Sequence, residues 1–400
     1  MDFPPGLIAG FDAGQTHTTC RLAQADSGTV LAEGQGPGVS HLASADGPAR
    51  FQAALRLSLA AARRHGGAIQ ATPAVAAADA GSGAWSGVAV PAASGPAAAA
   101  EAAPAEWATD RIGLDEAAAE TAAAAAAALS TAVAPAAGRE PPLLAAAIGA
   151  SGIESGSAVE RQGLVLAAAA LGLPAARLWL GGDERTALRG AFPDGPGIVV
   201  ISGTGTIAVG RTGGAAAGRE HRCGGWGWIL DGAGAAFDIG RDGLALSLQM
   251  ADGRRPDGPL RQALWRALAL DPADPGAPQA IKALVVRAGF SPSGVARLAP
   301  VVEALAQEAD PQAEAILRHH AEALALSVEG VARALQLSAP PVATLGGAIL
   351  HLHRFRALFR EALQQAVPSA RLVAAAGDAA SGALALARER LVGQRPVSAG

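Results

Sequence analysis

The sequence predicts an α/β fold, and three observations carry that prediction. Two strand–turn–strand units with glycine- and hydroxyl-rich tips stand far apart, at residues 7–22 and 197–210. Buried-strand patterns at Leu143–Ile148, Arg177–Leu180 and Pro340–Leu345 each run into glycine and then into a helical pattern. The remaining long apolar patterns have helical period, so strands and helices alternate along the chain.

The first unit is LIAGFDAGQTHTTCRL, with Asp12 ending its first strand and Gly14, Gln15, Thr16 and Thr18 in and after the turn. Asp26-Ser27-Gly28 turns into a third strand, Thr29 to Gly34. The second unit pairs Ile198–Ile201 with Ile207–Val209 across Ser202-Gly203-Thr204-Gly205-Thr206. Glycines there let a ligand approach the backbone, and hydroxyls with bare N–H groups can hold phosphate oxygens. An ordinary hairpin turn explains a Gly-Thr-Gly tip equally well.

Other elements follow from period and punctuation. Phe51, Leu55, Leu59 and Ala62 recur at helical spacing over residues 46–64, with Gly66-Gly67 as the expected stop. Residues 68–140 are rich in Ala, Gly, Pro and Ser; they read as a tolerated insertion rather than a lid or an oligomer contact, with an Ala-rich helix at 114–134. Helices are expected at 157–172, from Glu184, at 234–250, from about Ala348 and at 382–391. Residues 259–336 read as helical, broken at Asp271-Pro272, Ser291-Pro292 and Asp310-Pro311, and Arg371–Ala374 as a last strand. No repeat is evident in the sequence.

Composition narrows the function. The 400 residues are 50% hydrophobic and 16% charged, enough for two domains with separate cores. A net charge of −4 offers no basic surplus to neutralise a nucleic-acid backbone, so nucleic acid is not the expected partner. Lys282 is the only lysine and no GxxxxGK[ST] occurs, which excludes P-loop chemistry. Cys20 and Cys223 make neither a disulfide framework nor a zinc cluster and fit a reducing cytoplasm. MDFPPG is no signal peptide, and Ala-rich runs such as 122–129 are too short to span a bilayer, so the expected location is cytoplasmic, with no membrane partner.

The DAGQTHT and ISGTGT hairpins, Gly224-Gly225-Trp226-Gly227-Trp228, Leu180-Gly181-Gly182-Asp183 and Leu345-Gly346-Gly347-Ala348 occur in one order over most of the chain. That set resembles the sugar kinase/heat-shock ATPase/actin superfamily, and within it the N-acetylglucosamine kinase branch, related to activator-type ATPases of benzoyl-CoA reductase and 2-hydroxyacyl-CoA dehydratase. The resemblance fails over residues 68–140. It implies two ribonuclease-H-like domains flanking an ATP/sugar cleft. They would span 1–192, carrying the insert, and 193–380, carrying a helical insertion, with 381–400 as a closing helix and tail that crosses back to the first domain. It also implies ATP and Mg²⁺ as cofactors and a small sugar as substrate, and it leaves room for a homodimer.

The resemblance assigns roles residue by residue. Asp12 would position Mg²⁺ through water, where a turn cap is the bland alternative. Gly14, Gln15, Thr16 and Thr18 would face ATP from one side, and Ser202, Gly203, Thr204 and Gly205 from the other. Gly346 and Gly347 would lie under adenine and ribose. Asp183 would be the catalytic base and touch the sugar, against a plain helix N-cap. Gly225, Trp226, Gly227 and Asp231 would line the sugar pocket, and Ser40 would stand where relatives carry an Asn. Glu154 is read mainly as a helix N-terminal acid.

One departure matters. Relatives carry a GDEGS-like run after the Gly-Gly-Trp-Gly string; here it is Leu230-Asp231-Gly232-Ala233-Gly234-Ala235, with Asp231 one place early and Ala233 for Glu. The expected activity is ATP-dependent phosphorylation of N-acetylglucosamine or glucosamine at the 6-hydroxyl. The alternatives are an activator-type ATPase or a catalytically weak sugar- and ATP-binding sensor.

Overall fold

Ten strands and twelve helices are seen among the described residues of a computed structural model, which are 5–69, 141–213, 218–287 and 290–392. Residues 70–140 of the insert expected at 68–140, its expected helix at 114–134 and the tail from 393 lie outside them.

The first sheet has the order β3-β2-β1-β4-β5. Its strands are β1 (Leu7–Ala13), β2 (His17–Gln24), β3 (Val30–Pro37), β4 (Leu143–Ala150) and β5 (Leu178–Gly181). The first three form an antiparallel meander, and β4 and β5 add parallel to β1.

The second sheet repeats this plan as β8-β7-β6-β9-β10. It comprises β6 (Gly197–Ser202), β7 (Thr206–Arg211), β8 (Glu220–Gly224), β9 (Pro341–Leu345) and β10 (Arg371–Leu372). Here too three strands are antiparallel and two follow in parallel. The duplication lies in topology, where no sequence repeat marks it. Strand β8 carries no clear period, and the sequence reading places no strand there.

Helix α1 (Gly47–Ile69) covers one face of the first sheet together with α2 (Ala158–Leu171). Phe11, Phe51, Leu55, Ile148 and Leu178 are buried between them. Helix α1 continues through Gly66-Gly67 instead of stopping there, because glycine weakens a helix without forbidding it. Helix α2 is bounded as its caps dictate: Ser157 accepts from the Glu160 amide at 3.0 Å, Glu160 accepts from Gly156 at 2.6 Å, and Gly172 closes at φ 65°.

Helix α3 (Asp183–Ala191) follows β5, and its Ala187, Leu188 and Ala191 pack with Val199, Val209 and Ala343 of the second sheet. Helices α4 (Ala236–Ala251), α5 (Pro259–Ala267), α6 (Ala277–Val286), α7 (Pro292–Ala296), α8 (Ala299–Gln307) and α9 (Pro311–Leu335) come next. The expected breaks at Ser291-Pro292 and Asp310-Pro311 are helix starts, where proline's missing N–H costs nothing. Helices α10 (Gly347–His351), α11 (His353–Ala366) and α12 (Ala379–Val392) complete the chain.

Helix α12 covers the other face of the first sheet, burying Ala383, Leu384 and Ala387 against Ile8, Ala145 and Ala147. Small residues permit this approach. A Cβ at Gly10 would stand 2.6 Å from the Leu384 nitrogen, and one at Gly382 would run into the Thr186 carbonyl of α3.

The chain divides into two compact units. Both sheets belong to the first, which comprises the described residues before 239 and from 317 onward. The second, within 239–316, is helical, with a core of Leu260, Leu264, Trp265, Ile281 and Val302. Trp265 donates to Ser247 there at 3.0 Å. Among the described residues no helix is long and apolar enough to cross a membrane.

Candidate active site

Strand β1 delivers Asp12 to the turn end of the first hairpin, where it pairs with Thr19. The turn closes where the Gly14 N–H donates to His17 at 3.1 Å, and Val39 donates back to Gly14 at 3.0 Å. Gln15 and Thr16 are exposed at the tip. Thr18 is fully buried, on the core-facing side of β2 with Cys20 and Leu22, away from the tip. Strand alternation puts Thr19 and Arg21 on Asp12's face instead, since Asp12 pairs with Thr19 and Gly10 with Arg21. Burial pushes the Asp12 carboxyl above its usual range and Asp378 adds to the rise, while His17 and Arg21 oppose it.

Strand β5 and Gly182 lead to Asp183, the first residue of α3, one position earlier than the sequence pattern places the helix. Helix N-terminal amides favour a carboxylate there, but burial and like charge win. The Asp183 carboxyl is pushed up to about 7, first by burial, then by Glu184 and Asp12. Glu184 is itself buried and raised by burial, and its carboxyl folds back against Gly182. The two neighbours act on each other, Glu184 raising Asp183 and Asp183 lowering Glu184, so their titrations are coupled.

The second hairpin presents Thr204 and Gly205 exposed at its tip, with the Gly203 N–H donating to Gly205 at 2.9 Å. Ser202 is buried, and its hydroxyl donates to the Gly234 carbonyl at 2.6 Å, so it holds the turn that leads into α4. Gly346 sits against this hairpin at φ 95°, where a Cβ would stand 2.5 Å from the Ser202 carbonyl oxygen. Gly347 opens α10 beside it.

The glycine string ends β8 in three left-handed residues, Gly224 at φ 78°, Gly225 at 76° and Gly227 at 90°. These turns carry Trp226 outward, 58% exposed. The Arg222 guanidinium lies 4.7 Å from the Trp226 ring centre and pairs with Glu154 at 2.8 Å. Arg185 donates to Glu220 at 3.0 Å and to Ser155 at 2.7 Å. The loop after β4, the start of α3 and strand β8 are thereby tied together. Asp231 donates its N–H to Gly227 at 2.9 Å and brings its carboxylate over Gly224. Ser40 is engaged elsewhere, donating to Asp46 at 3.2 Å.

Four acids or partners escaped sequence reasoning. Glu184 follows Asp183 directly in the sequence. Arg21 lies on Asp12's face, which strand alternation alone could have revealed. Asp378 stands just before a helix of small residues. Asp238, buried with its carboxylate against Gly232, lies just past the altered 230–235 run. The cysteines are apart: Cys20 is buried in β2 with its thiol pushed up by burial, and Cys223 lies in β8.

The model of the BadF/BadG/BcrA/BcrD ATPase family matches residues 9–387. An N-acetylmuramic acid/N-acetylglucosamine kinase of Clostridium acetobutylicum is 31% identical over 208 residues. That alignment covers 52% of this chain and 65% of the relative, just under two thirds of its length. A solved structure described as a candidate N-acetylglucosamine kinase of Chromobacterium violaceum superposes with a TM-score of 0.63 at 27% identity. It covers 96% of this chain and 99% of that one. A second such candidate, from Porphyromonas gingivalis, gives 0.56 at 15% identity over 96% and 98%, a likeness of fold alone.

Proposed function

Because this chain belongs to the BadF/BadG/BcrA/BcrD ATPase family, we propose that it is an ATP-dependent sugar kinase, phosphorylating the 6-hydroxyl of N-acetylglucosamine or glucosamine. The observation that carries the reading is Asp183, a carboxyl held near pKa 7 at the head of α3 with Asp12 in electrostatic reach. A base poised near the working pH is what proton removal from a sugar hydroxyl needs. The 31% identical kinase relative supports the same reading.

In this reading Asp183 accepts the hydroxyl proton as the sugar oxygen bonds to the γ-phosphorus and the bond to ADP breaks. The tips at Gln15–Thr16 and Gly203–Gly205 hold phosphate oxygens through backbone N–H groups and the Thr16 and Thr204 hydroxyls. Gly346 and Gly347 lie under the nucleoside. Gly225, Trp226, Gly227 and Asp231 bound the sugar. Asp12 fits a hydrated Mg²⁺: it is an oxygen donor just behind the exposed Gln15–Thr16 tip, and its burial disfavours a bare charge. Mg²⁺ supplies charge neutralisation for the transferring phosphoryl group. Ser202 and Ser40 hold structure in this reading rather than ligand, and Thr18 faces the core.

The activator alternative calls for cysteines placed to hold a cluster, and Cys20 is buried. Ala233 is what favours the sensor alternative. A panel of amino sugars and hexoses assayed for ATP-dependent phosphorylation tests the proposal. Turnover of an amino sugar sustains it; ATP hydrolysis indifferent to every sugar overturns it.

A further inference from the structure

We propose that Glu33, Arg21 and Asp378 form a charge lock that keeps Asp12 open to a divalent cation. The inference rests on the reading that places Mg-ATP at Asp12.

Arg21 is the diagonal cross-strand neighbour of Asp12 on the same face of the sheet. Such neighbours lie about 7–8 Å apart between backbones, within reach of a long side chain. An arginine left free there would pair with the half-buried acid and occupy the site of the cation. It is not free. Its Nε and Nη2 donate to Glu33 at 2.9 and 2.6 Å, and its Nη1 and Nη2 to Asp378 at 2.7 and 2.8 Å. Nη1 also donates to the Ser381 hydroxyl at 2.7 Å.

Asp378 is held in turn. The Ser381 N–H and hydroxyl donate to it at 2.8 and 2.7 Å, in the first turn of α12. The Arg21 side chain is only 17% exposed, while Glu33 at 43% and Asp378 at 56% face solvent, which screens the pairs in part. Forked arginine–carboxylate pairs are the strong kind, and the Asp378 carboxyl is held down to about 2. The geometry joins three separate segments, β2, β3 and the head of α12, around one guanidinium. Asp378 and Arg21 both act on Asp12, which also feels His17 and in turn acts on Asp183.

Loss of Asp378 would strip Arg21 of its fork. Nη1 would keep only the Ser381 hydroxyl and Nη2 only Glu33, which leaves the guanidinium short of charge compensation, and Asp12 is the acid on its own face. The lock therefore predicts that Asp378→Asn harms cation binding through Arg21, and that removing Arg21 as well repairs it. A scaffold role predicts the reverse, because two lost anchors are worse than one.

The test is the thermal shift of the full chain at fixed ATP, titrated with Mg²⁺, beside the melting temperature without ligand. Asp378→Asn is expected to raise the Mg²⁺ needed for half the shift about tenfold, the scale of one charge-assisted pair. Asp378→Asn with Arg21→Gln should return to within about threefold of wild type, the coupling a double-mutant cycle reads. Arg21→Gln alone, useful should Asp378→Asn fail to fold, should need no more Mg²⁺ than wild type. An unchanged Mg²⁺ response in Asp378→Asn, a double variant worse than the single, or a raised requirement in Arg21→Gln overturns the lock. Wild type with no Mg²⁺-dependent ATP shift removes the underlying reading instead.

Discussion

Asp183 and Glu184, consecutive in the sequence, stand together at the first turn of α3, where burial raises both carboxyls and the charge of Glu184 raises Asp183 further, while Asp183 pulls Glu184 down. Glu184 is buried and Asp183 half-buried at the turn that follows β5, and desolvation is the first cause of the rise in each. Much of the expected behaviour of the site follows from this pair.

The pH–rate profile comes first. The anion of Asp183 is the active form of a base, so kcat/KM should climb with pH and level off above about 7. Glu184→Gln removes the like charge and offers an N–H to the Asp183 anion, so the inflection should move to lower pH. An inflection that stays put in Glu184→Gln means another group titrates.

Asp183→Asn should fold and bind Mg-ATP, yet lose about a hundred- to ten-thousand-fold in kcat, the range for removing a general base. Asp12→Asn should differ by weakening the Mg²⁺-dependent ATP shift as well. Parallel kcat and binding measurements on both variants separate the two roles. Near-normal kcat in Asp183→Asn moves the base to another acid.

Stability should carry the same signature. Folding raises the Asp183 carboxyl from 3.8 to about 7, so the fold favours its neutral form. That stabilisation is present below the unfolded value and is lost as pH rises through the folded one. The asparagine variant avoids the loss. Its melting temperature should therefore exceed that of wild type by a few degrees at pH 8, with the gap closing toward pH 5. Calorimetry across that range checks the sign.

Gly382→Ala sets two effects against each other. Alanine inside a helix normally gains roughly 0.5–1 kcal/mol over glycine. Here the added Cβ meets the Thr186 carbonyl and lies 2.5 Å from the Gly190 nitrogen, and overpacking costs about 1–3 kcal/mol. Urea unfolding should show net destabilisation. A gain in stability would mean α12 docks less closely on α3.

Gly346→Ala tests the nucleoside side. The residue needs φ 95°, and a Cβ would press on the Ser202 carbonyl. Such strain is worth about 1–3 kcal/mol, so the ATP-induced thermal shift should weaken about tenfold while sugar KM changes little. An unaltered ATP shift takes Gly346 out of the nucleotide site.

The residues by themselves determined the α/β class, both glycine hairpins, most strands and the family, because local period and glycine punctuation record backbone geometry directly. The caps Ser157 and Gly172 and the prolines at 292 and 311 are legible for the same reason. The tertiary structure decided what depends on which faces meet. It turned Thr18 into the core while Arg21 came out beside Asp12, it spent the hydroxyls of Ser202 and Ser40 on Gly234 and Asp46, and it drew Asp378 across 357 positions to Arg21. It also duplicated one sheet plan without a repeated sequence, since many apolar sequences fill the same strand order. Charge and burial act through space and fall off with distance, so the pKa of Asp183 is a property of its packed neighbours, which no local pattern contains.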